Sequence, residues 1–415
     1  MRRALLIVAL IALLPLARAG EEDYYISVPA TGSIYLLDAQ TGVMTPWASG
    51  FGIPFYGVWA DDGFLYMPDR ALGAVFKIDV AGNVVPFAAG GFLGSPVTVV
   101  QAPDGSLVAS DIFQQTIVRL DPLGNQELIA DVASSGGMLD GPGGIAYDRD
   151  GVLYVSNNVG NNVVALDEKA DTFTLVGDGG GLLNDPGGLA ADGAGNLFIA
   201  NYSGNNIVRI RLDTGEGEVF CDDPFMISPN DVKLGRDGGL NVTTKNSALV
   251  HIDVLGQMSI VKQDNTLGDW DGVAVPADFP GCEGRFLPYG TGTPGTGGIV
   301  PRLAGIFSPC PGAAVALEFD RALGNAAGFV AWGAAPLSAP LKGGTLLVDI
   351  GPPGGLIPLP FPGTGPGGGE LLLPFTLPDS PIFAGAEFYL QALVWDAGAP
   401  GGVAFSNGLH EQIGN

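Results

Sequence analysis

The stretch DGPGGIAYDRDGVLYVSNNVGNNVVAL, residues 140–166, returns 44 positions later as NDPGGLAADGAGNLFIANYSGNNIVRI, residues 184–210. A chain that writes one unit twice must fold it twice, and neither copy can bury its apolar face alone. Wider-drifting copies stand at YISVPATGSIYLLD (25–38), LYMPDRALGAVFKID (65–79), LVASDIFQQTIVRLD (107–121) and LNVTTKNSALVHID (240–253). A spacing of roughly 40–45 residues filled by short strands predicts a β-propeller.

Each unit divides into four strands by period-2 apolar alternation between turn signals. The first strand is small and apolar, as in Gly144-Ile145-Ala146-Tyr147 and Gly188-Leu189-Ala190-Ala191, which suits the crowded wall of a central channel. Five units then place Asp-Gly or Gly-Asn at the hairpin, at Asp62-Gly63, Asp104-Gly105, Asp150-Gly151, Gly195-Asn196 and Asp237-Gly238. Such turns need residues that tolerate positive φ. First strands are expected near Gly57, Val97, Gly144, Gly188, Asp231 and Gly272, and second strands near Tyr24, Phe64, Ser106, Val152, Asn196 and Gly239. The repeat region therefore enters on a second strand and leaves on a first strand. This count predicts six blades spanning residues 24–278, with both ends sharing one blade and closing the ring.

Composition supports an all-β chain: 66 Gly and 32 Pro among 415 residues mark many turns, and only 15% of residues are charged. Met1–Ala19 has early arginines, an apolar run and a small-x-small end at Ala17-Arg18-Ala19, the layout of a secretory signal peptide (residues 1–19). The run is too short for a comfortable membrane span, and no later segment is long and apolar enough for one. The expected product is exported and periplasmic or extracellular. Removal of Arg2, Arg3 and Arg18 makes the formal charge of −25 three units more negative still. A surface this acidic repels phosphate backbones, which argues against nucleic acid as a partner. It favours either simple solubility or attraction of cations such as Ca²⁺.

The three cysteines, Cys221, Cys282 and Cys310, permit at most one internal bridge. Cys282 and Cys310 bracket the end of the repeats, and export permits a disulfide there. After Gly281 the period stops. A Gly/Pro-rich linker is expected over residues 279–299, including YGTGTPGTGG, followed by a β-sandwich, jelly-roll-like, over 300–415. Its strand candidates are Ala313–Phe319, Thr345–Ile350, Glu370–Phe375, Phe388–Trp395 and Gly402–Ser406. The closing stretch QALVWDAGAPGGVAFSNGLHEQIG and the entry YGTGTPGTGGIVPRL resemble a C-terminal module carried by large secreted bacterial proteins. That resemblance leaves a surface-association role and a folded spacer both open.

The motif P-x-G-[ILV]-A-x-D-x-x-G-x-[LI]-[YF]-[VI]-[AS]-[DN] stands here as PGGIAYDRDGVLYVSN (142–157) and PGGLAADGAGNLFIAN (186–201). In this the chain resembles the NHL-repeat and SMP-30/gluconolactonase-like six-bladed propellers, a group that includes enzymes, scaffolds and sensors. In the hydrolase branch the resemblance implies a divalent metal, usually Ca²⁺, held in the channel by Glu, Asn and Asp. The equivalent ring here is Tyr56, Val97, Gly143, Gly187, Asn230 and Asp271. Asn230 and Asp271 match two of the family's metal ligands, whereas its glutamate falls at Val97 and its other asparagine at Gly187. Asp271 would then serve as both ligand and catalytic base, with Asp231 or Asp269 in support. The competing reading is that Asn230 and Asp271 cap turns.

A second ring closes the second strands: Pro29, Asp69, Asp111, Asn157, Asn201 and Thr244. With Asn158, Asn161, Asn162, Tyr202, Asn205 and Asn206 beside them, Asp69, Asp111, Asn157, Asn201 and Tyr202 are candidates for binding a sugar or peptide. Turn chemistry explains the same Asn-rich pattern. Histidine occurs only at His251 and His410, so Ser/His/Asp triads, His-ligated zinc and histidine-based lyase chemistry have no support. The expected function is a non-catalytic binding module that takes a small molecule, glycan or protein at the channel mouth. The second reading is a Ca²⁺-dependent lactonase or esterase.

Overall fold

A computed structural model describes residues 23–235, 237–275 and 284–414. The stretch read as a signal peptide lies outside the described residues, as does Cys282, on which the pairing with Cys310 depends; Cys221 is a buried free thiol. Among the described residues no helix is long and apolar enough to cross a membrane. The chain divides into two compact units, one holding the repeats and one the C-terminal sheets.

The repeats form six four-stranded antiparallel sheets. Five are built from consecutive strands. The sixth joins Tyr24–Val28, Ser33–Leu37 and Met44–Ser49 to Val273–Ala274, through the pairs Tyr25↔Ala274 and Ile26↔Val273. The ends of the repeat region therefore share one blade, as the strand count requires. The five hairpin glycines, Gly63, Gly105, Gly151, Gly195 and Gly238, all have positive φ, between 79° and 88°.

Middle strands such as Leu153–Asn157 are buried on both faces, because each blade is sandwiched between two others. Outer strands such as Thr172–Gly177 have no buried residue, with Thr172, Thr174 and Leu175 exposed. Between neighbouring blades, Val108, Ile117, Ile145, Val155 and Val164 pack into one cluster, each essentially inaccessible. Burying a side chain of this size contributes about 1.5–3 kcal/mol.

Toward the axis the first strands crowd one another. A Cβ on Gly144 would lie 2.5 Å from the Gly187 carbonyl oxygen, and one on Gly188 would lie 2.8 Å from Asp231 Cα. Steric contact between blades thus explains the second glycine of Pro-Gly-Gly in the two clearest repeats. A hydroxyl belt ties the same strands together. Ser156 Oγ accepts from Gly144 N at 2.9 Å within its blade and donates to Gly187 O of the next at 2.6 Å. Ser27, Ser110 and Thr243 repeat the arrangement, donating to Phe55 O, Gly143 O and Asp271 O respectively. At the two remaining blades the equivalent residues, Pro68 and Ala200, carry no hydroxyl.

The C-terminal unit packs a five-stranded sheet against a three-stranded one, with Phe319 and Phe361 meeting edge to face at 6.0 Å across the gap. The larger sheet contains Arg285–Tyr289, Val403–Gln412, Glu387–Trp395, Ala326–Gly333 and Gly355–Phe361; the smaller contains Arg302–Ile306, Ala314–Ala322 and Gly369–Thr376. Arg285–Tyr289 lies inside the stretch expected to be a linker, yet pairs with Val403–Gln412 along its whole length. The following Gly/Pro run is also bound to this unit, since Thr293 and Phe405 exchange backbone hydrogen bonds of 2.8 and 3.1 Å. Its glycines permit close passage over the sheet: a Cβ on Gly292 would lie 2.3 Å from Phe405 O.

Candidate functional site

One end of the propeller channel opens into a cavity of about 380 Å³, to which two rings contribute. The inner ring is the expected one, Tyr56, Val97, Gly143, Gly187, Asn230 and Asp271, all six of which line the cavity. The outer ring is Arg70, Ile112, Asn158, Tyr202 and Lys245, each one residue beyond the end of a second strand.

That single step corrects the sequence reading. Side chains alternate between faces along a strand, so a shift of one residue exchanges what faces the channel for what faces away. Asp69, Asp111, Asn157 and Asn201 are fully or almost fully buried and bind the loops instead. Asp69 accepts from the backbone N–H groups of Gly52, Ile53, Ala71 and Leu72; Asp111 does the same for Gly94, Ser95, Phe113 and Gln114. Asn157 accepts from Asp140 N and donates to Met138 O and Asn162 Oδ1, and Asn201 copies this with Asn184, Leu182 and Asn206. They anchor the turns and have little capacity left for a ligand. Of the five candidates in this group, Tyr202 alone reaches the cavity.

In the inner ring, Tyr56 Oη donates to Asn230 Oδ1 at 2.6 Å, and Asn230 Nδ2 donates to Asp271 Oδ1 at 2.6 Å. Lys245 Nζ closes this chain by pairing with the same Asp271 oxygen, while the exposed Asp269 stands 3.9 Å from the ammonium. Burial raises the Asp271 carboxyl above its ordinary range, with Lys245 opposing the shift. Burial, reinforced by Asp271 and Asp231, pushes the Tyr56 phenol well up. Asp231 faces neither cavity nor solvent. It accepts from Lys233 Nζ at 3.0 Å and from Val273 N of the next blade at 3.2 Å, and burial raises its carboxyl too.

This donor set does not fit a divalent cation of the hydrolase type. Val97 and Gly187 offer no side-chain oxygen, Asn230 is engaged at both ends, and the Asp271 charge is already met by an ammonium. Among the described residues no cluster of three or more His, Cys, Asp or Glu is placed to hold a metal. His251 lies apart from the cavity and contacts Asn241 and Asp237.

The remaining wall combines aromatic faces with fixed polar groups. Arg70 stacks 4.7 Å over Phe55, and Asn158 donates to Asp185. Sequence reasoning passed over Arg70 and Lys245, although the signal was present: each follows a second-ring residue directly, as Tyr202 follows Asn201.

No family model and no curated protein matches the chain. Solved structures do match. A chain of a nidogen/laminin complex aligns at TM-score 0.52 and 15% identity, covering 61% of this chain and 97% of that one. A gluconolactonase from Xanthomonas campestris aligns at 0.49 and 16%, covering 63% and 91%. Virginiamycin B lyase from Staphylococcus aureus aligns at 0.43 and 15%, covering 67% and 92%. These likenesses show the fold alone, a β-propeller. Its neighbours thus include a gluconolactonase, a lyase and a chain from a nidogen/laminin complex.

Proposed function

We propose that this chain is an exported binding module whose propeller holds a small, hydroxyl-rich polar ligand such as a sugar at the channel mouth, without a metal. The observation that carries this reading is the Lys245–Asp271 pair, which puts an internal cation on the carboxylate that a metal-dependent hydrolase would use. Around it the cavity offers the aromatic surfaces of Phe55 and Tyr202, the amide of Asn158 and the guanidinium of Arg70. Concave sites of this size with a few fixed polar groups among apolar walls suit small-molecule ligands. Export rests on the secretory layout of residues 1–19.

The test is saturation-transfer NMR on the full chain with glucose, N-acetylglucosamine and cellobiose as probes. Binding of at least one, weakened roughly tenfold or more by Tyr202→Ala, supports the proposal. Failure of all three to bind, or indifference to Tyr202→Ala, contradicts it. The Ca²⁺-dependent lactonase reading requires Asp271 to release Lys245, and it predicts lactone hydrolysis that disappears in Asp271→Ala.

A further inference from the structure

The inner face of the larger C-terminal sheet carries a carboxyl where every neighbour is apolar. On the strand Val403–Gln412, Leu409 and Glu411 point inward, followed by Ile413, while His410 and Gln412 face the other way, half-buried. Phe286 and Phe388 flank Glu411 on the two adjacent strands. Glu411 is only 5% exposed, and its Oε1 has no hydrogen-bond partner among the described residues.

That carboxyl lines an apolar cavity of about 90 Å³ between the two sheets. The large sheet supplies Val330, Trp332 and Leu390, and the small one supplies Leu317 and Phe375. The rim side chains Leu373, Phe375 and Phe388 are half-buried, so the cavity communicates with the surface. Besides Glu411, Thr376 is the one lining residue with a side-chain oxygen, and the rest of the wall is apolar apart from the indole of Trp332. Burial alone pushes the Glu411 carboxyl up to about 8. Leaving such a group unpaired costs stability, and a core of this kind is more stable with an aliphatic residue there.

We propose that this cavity is a binding site for a small aliphatic amine, with the hydrocarbon chain among Val330, Trp332, Leu317 and Leu390 and the ammonium on the Glu411 carboxylate. Charge complementarity selects the amine. The cavity holds a single ionisable group, and a cationic head satisfies its oxygens as donor and as counter-ion together. An alcohol offers only the hydrogen bond, and a carboxylate places a second anion beside the first. The site is independent of the channel mouth, and its ligand differs in chemistry from the one proposed there.

The experiment uses the full chain and three probes of equal length, hexylamine, hexanol and hexanoate, followed by isothermal titration calorimetry. Hexylamine is expected to bind at least tenfold more tightly than hexanol, with hexanoate weakest. Glu411→Gln, which keeps the side-chain shape and removes the charge, is expected to abolish the preference for the amine while leaving hexanol binding in place. Equal binding of hexylamine and hexanol to the unaltered protein, binding of none of the three, or an amine preference that survives in Glu411→Gln overturns the proposal. The comparison of probes on the unaltered chain keeps the test valid even if the variant fails to fold.

Discussion

The ammonium of Lys245 pairs with Oδ1 of Asp271 at the mouth of the propeller channel, on a carboxylate only 2% exposed that also accepts from Asn230 at 2.6 Å. Lys245 enters from a loop just beyond a second strand, and Asp271 stands just before the closing first strand. The pair therefore links the last complete blade to the blade that closes the ring.

Removing the cation while leaving the anion buried is expected to be costly. Lys245→Met should destabilise the propeller by about 3–5 kcal/mol at neutral pH. Asp271 already has a raised carboxyl pKa, and losing Lys245 raises it further. An acid whose folded-state pKa exceeds its unfolded one loses stability as pH rises through the interval between them. The deficit of Lys245→Met should therefore be small in acid and grow toward neutrality, and adding Asp271→Asn should recover most of it. Urea denaturation at about pH 4 and pH 8 checks both. An equal deficit at the two values would count against the buried pair.

The hydroxyl belt makes a separate prediction. Ser156→Ala removes the acceptor of Gly144 N and the donor to Gly187 O in one step, at a buried site. Leaving such groups unpaired costs about 1–3 kcal/mol each, whereas Ser203→Ala, on an exposed loop bond to Asp185, should be nearly neutral. Thermal melting of the two variants gives the comparison.

Asp111 and Tyr202 should separate stability from binding. Asp111→Ala strips four backbone N–H groups of their acceptor and should lower the melting temperature clearly, with saccharide affinity retained in the folded fraction. Tyr202→Ala should do the reverse. Loss of affinity in folded Asp111→Ala with none in Tyr202→Ala would return the binding role to the end residues of the second strands.

The C-terminal unit should report the titration of Glu411. Its carboxyl lies near 4.5 in an unfolded chain and is pushed up to about 8 by burial, so stability is greatest below the lower value and is lost as pH rises toward the upper one. Glu411→Gln cannot ionise. Its melting temperature relative to the unaltered protein should rise steadily over this interval, as followed by calorimetry. A difference that does not change with pH would show that Glu411 keeps its charge when folded.

The frame was legible because the repeat is steric. Gly144 and Gly188 are small since first strands touch at the axis, and Gly63 or Gly105 occupies a hairpin that needs positive φ. Periodicity counts such positions well. The site was legible only to within one residue, because Asn201 and Tyr202 are adjacent and both able to hydrogen-bond, and only the strand's exact end decides which faces the channel. Lys245 and Asp271 are 26 positions apart and their pairing depends on how one blade meets the next. In the second unit, Arg285–Tyr289 carries a proline and follows a break in the repeat, which hid a strand that only pairing with Val403–Gln412 reveals.

The most direct test of the channel-mouth account is calcium titration of EDTA-treated full-length protein, with bound metal and melting temperature measured together. With Lys245 already on Asp271, no stoichiometric Ca²⁺ should be retained and the propeller transition should not move. One Ca²⁺ per chain, bound with a rise in melting temperature that disappears in Asp271→Ala, would contradict it.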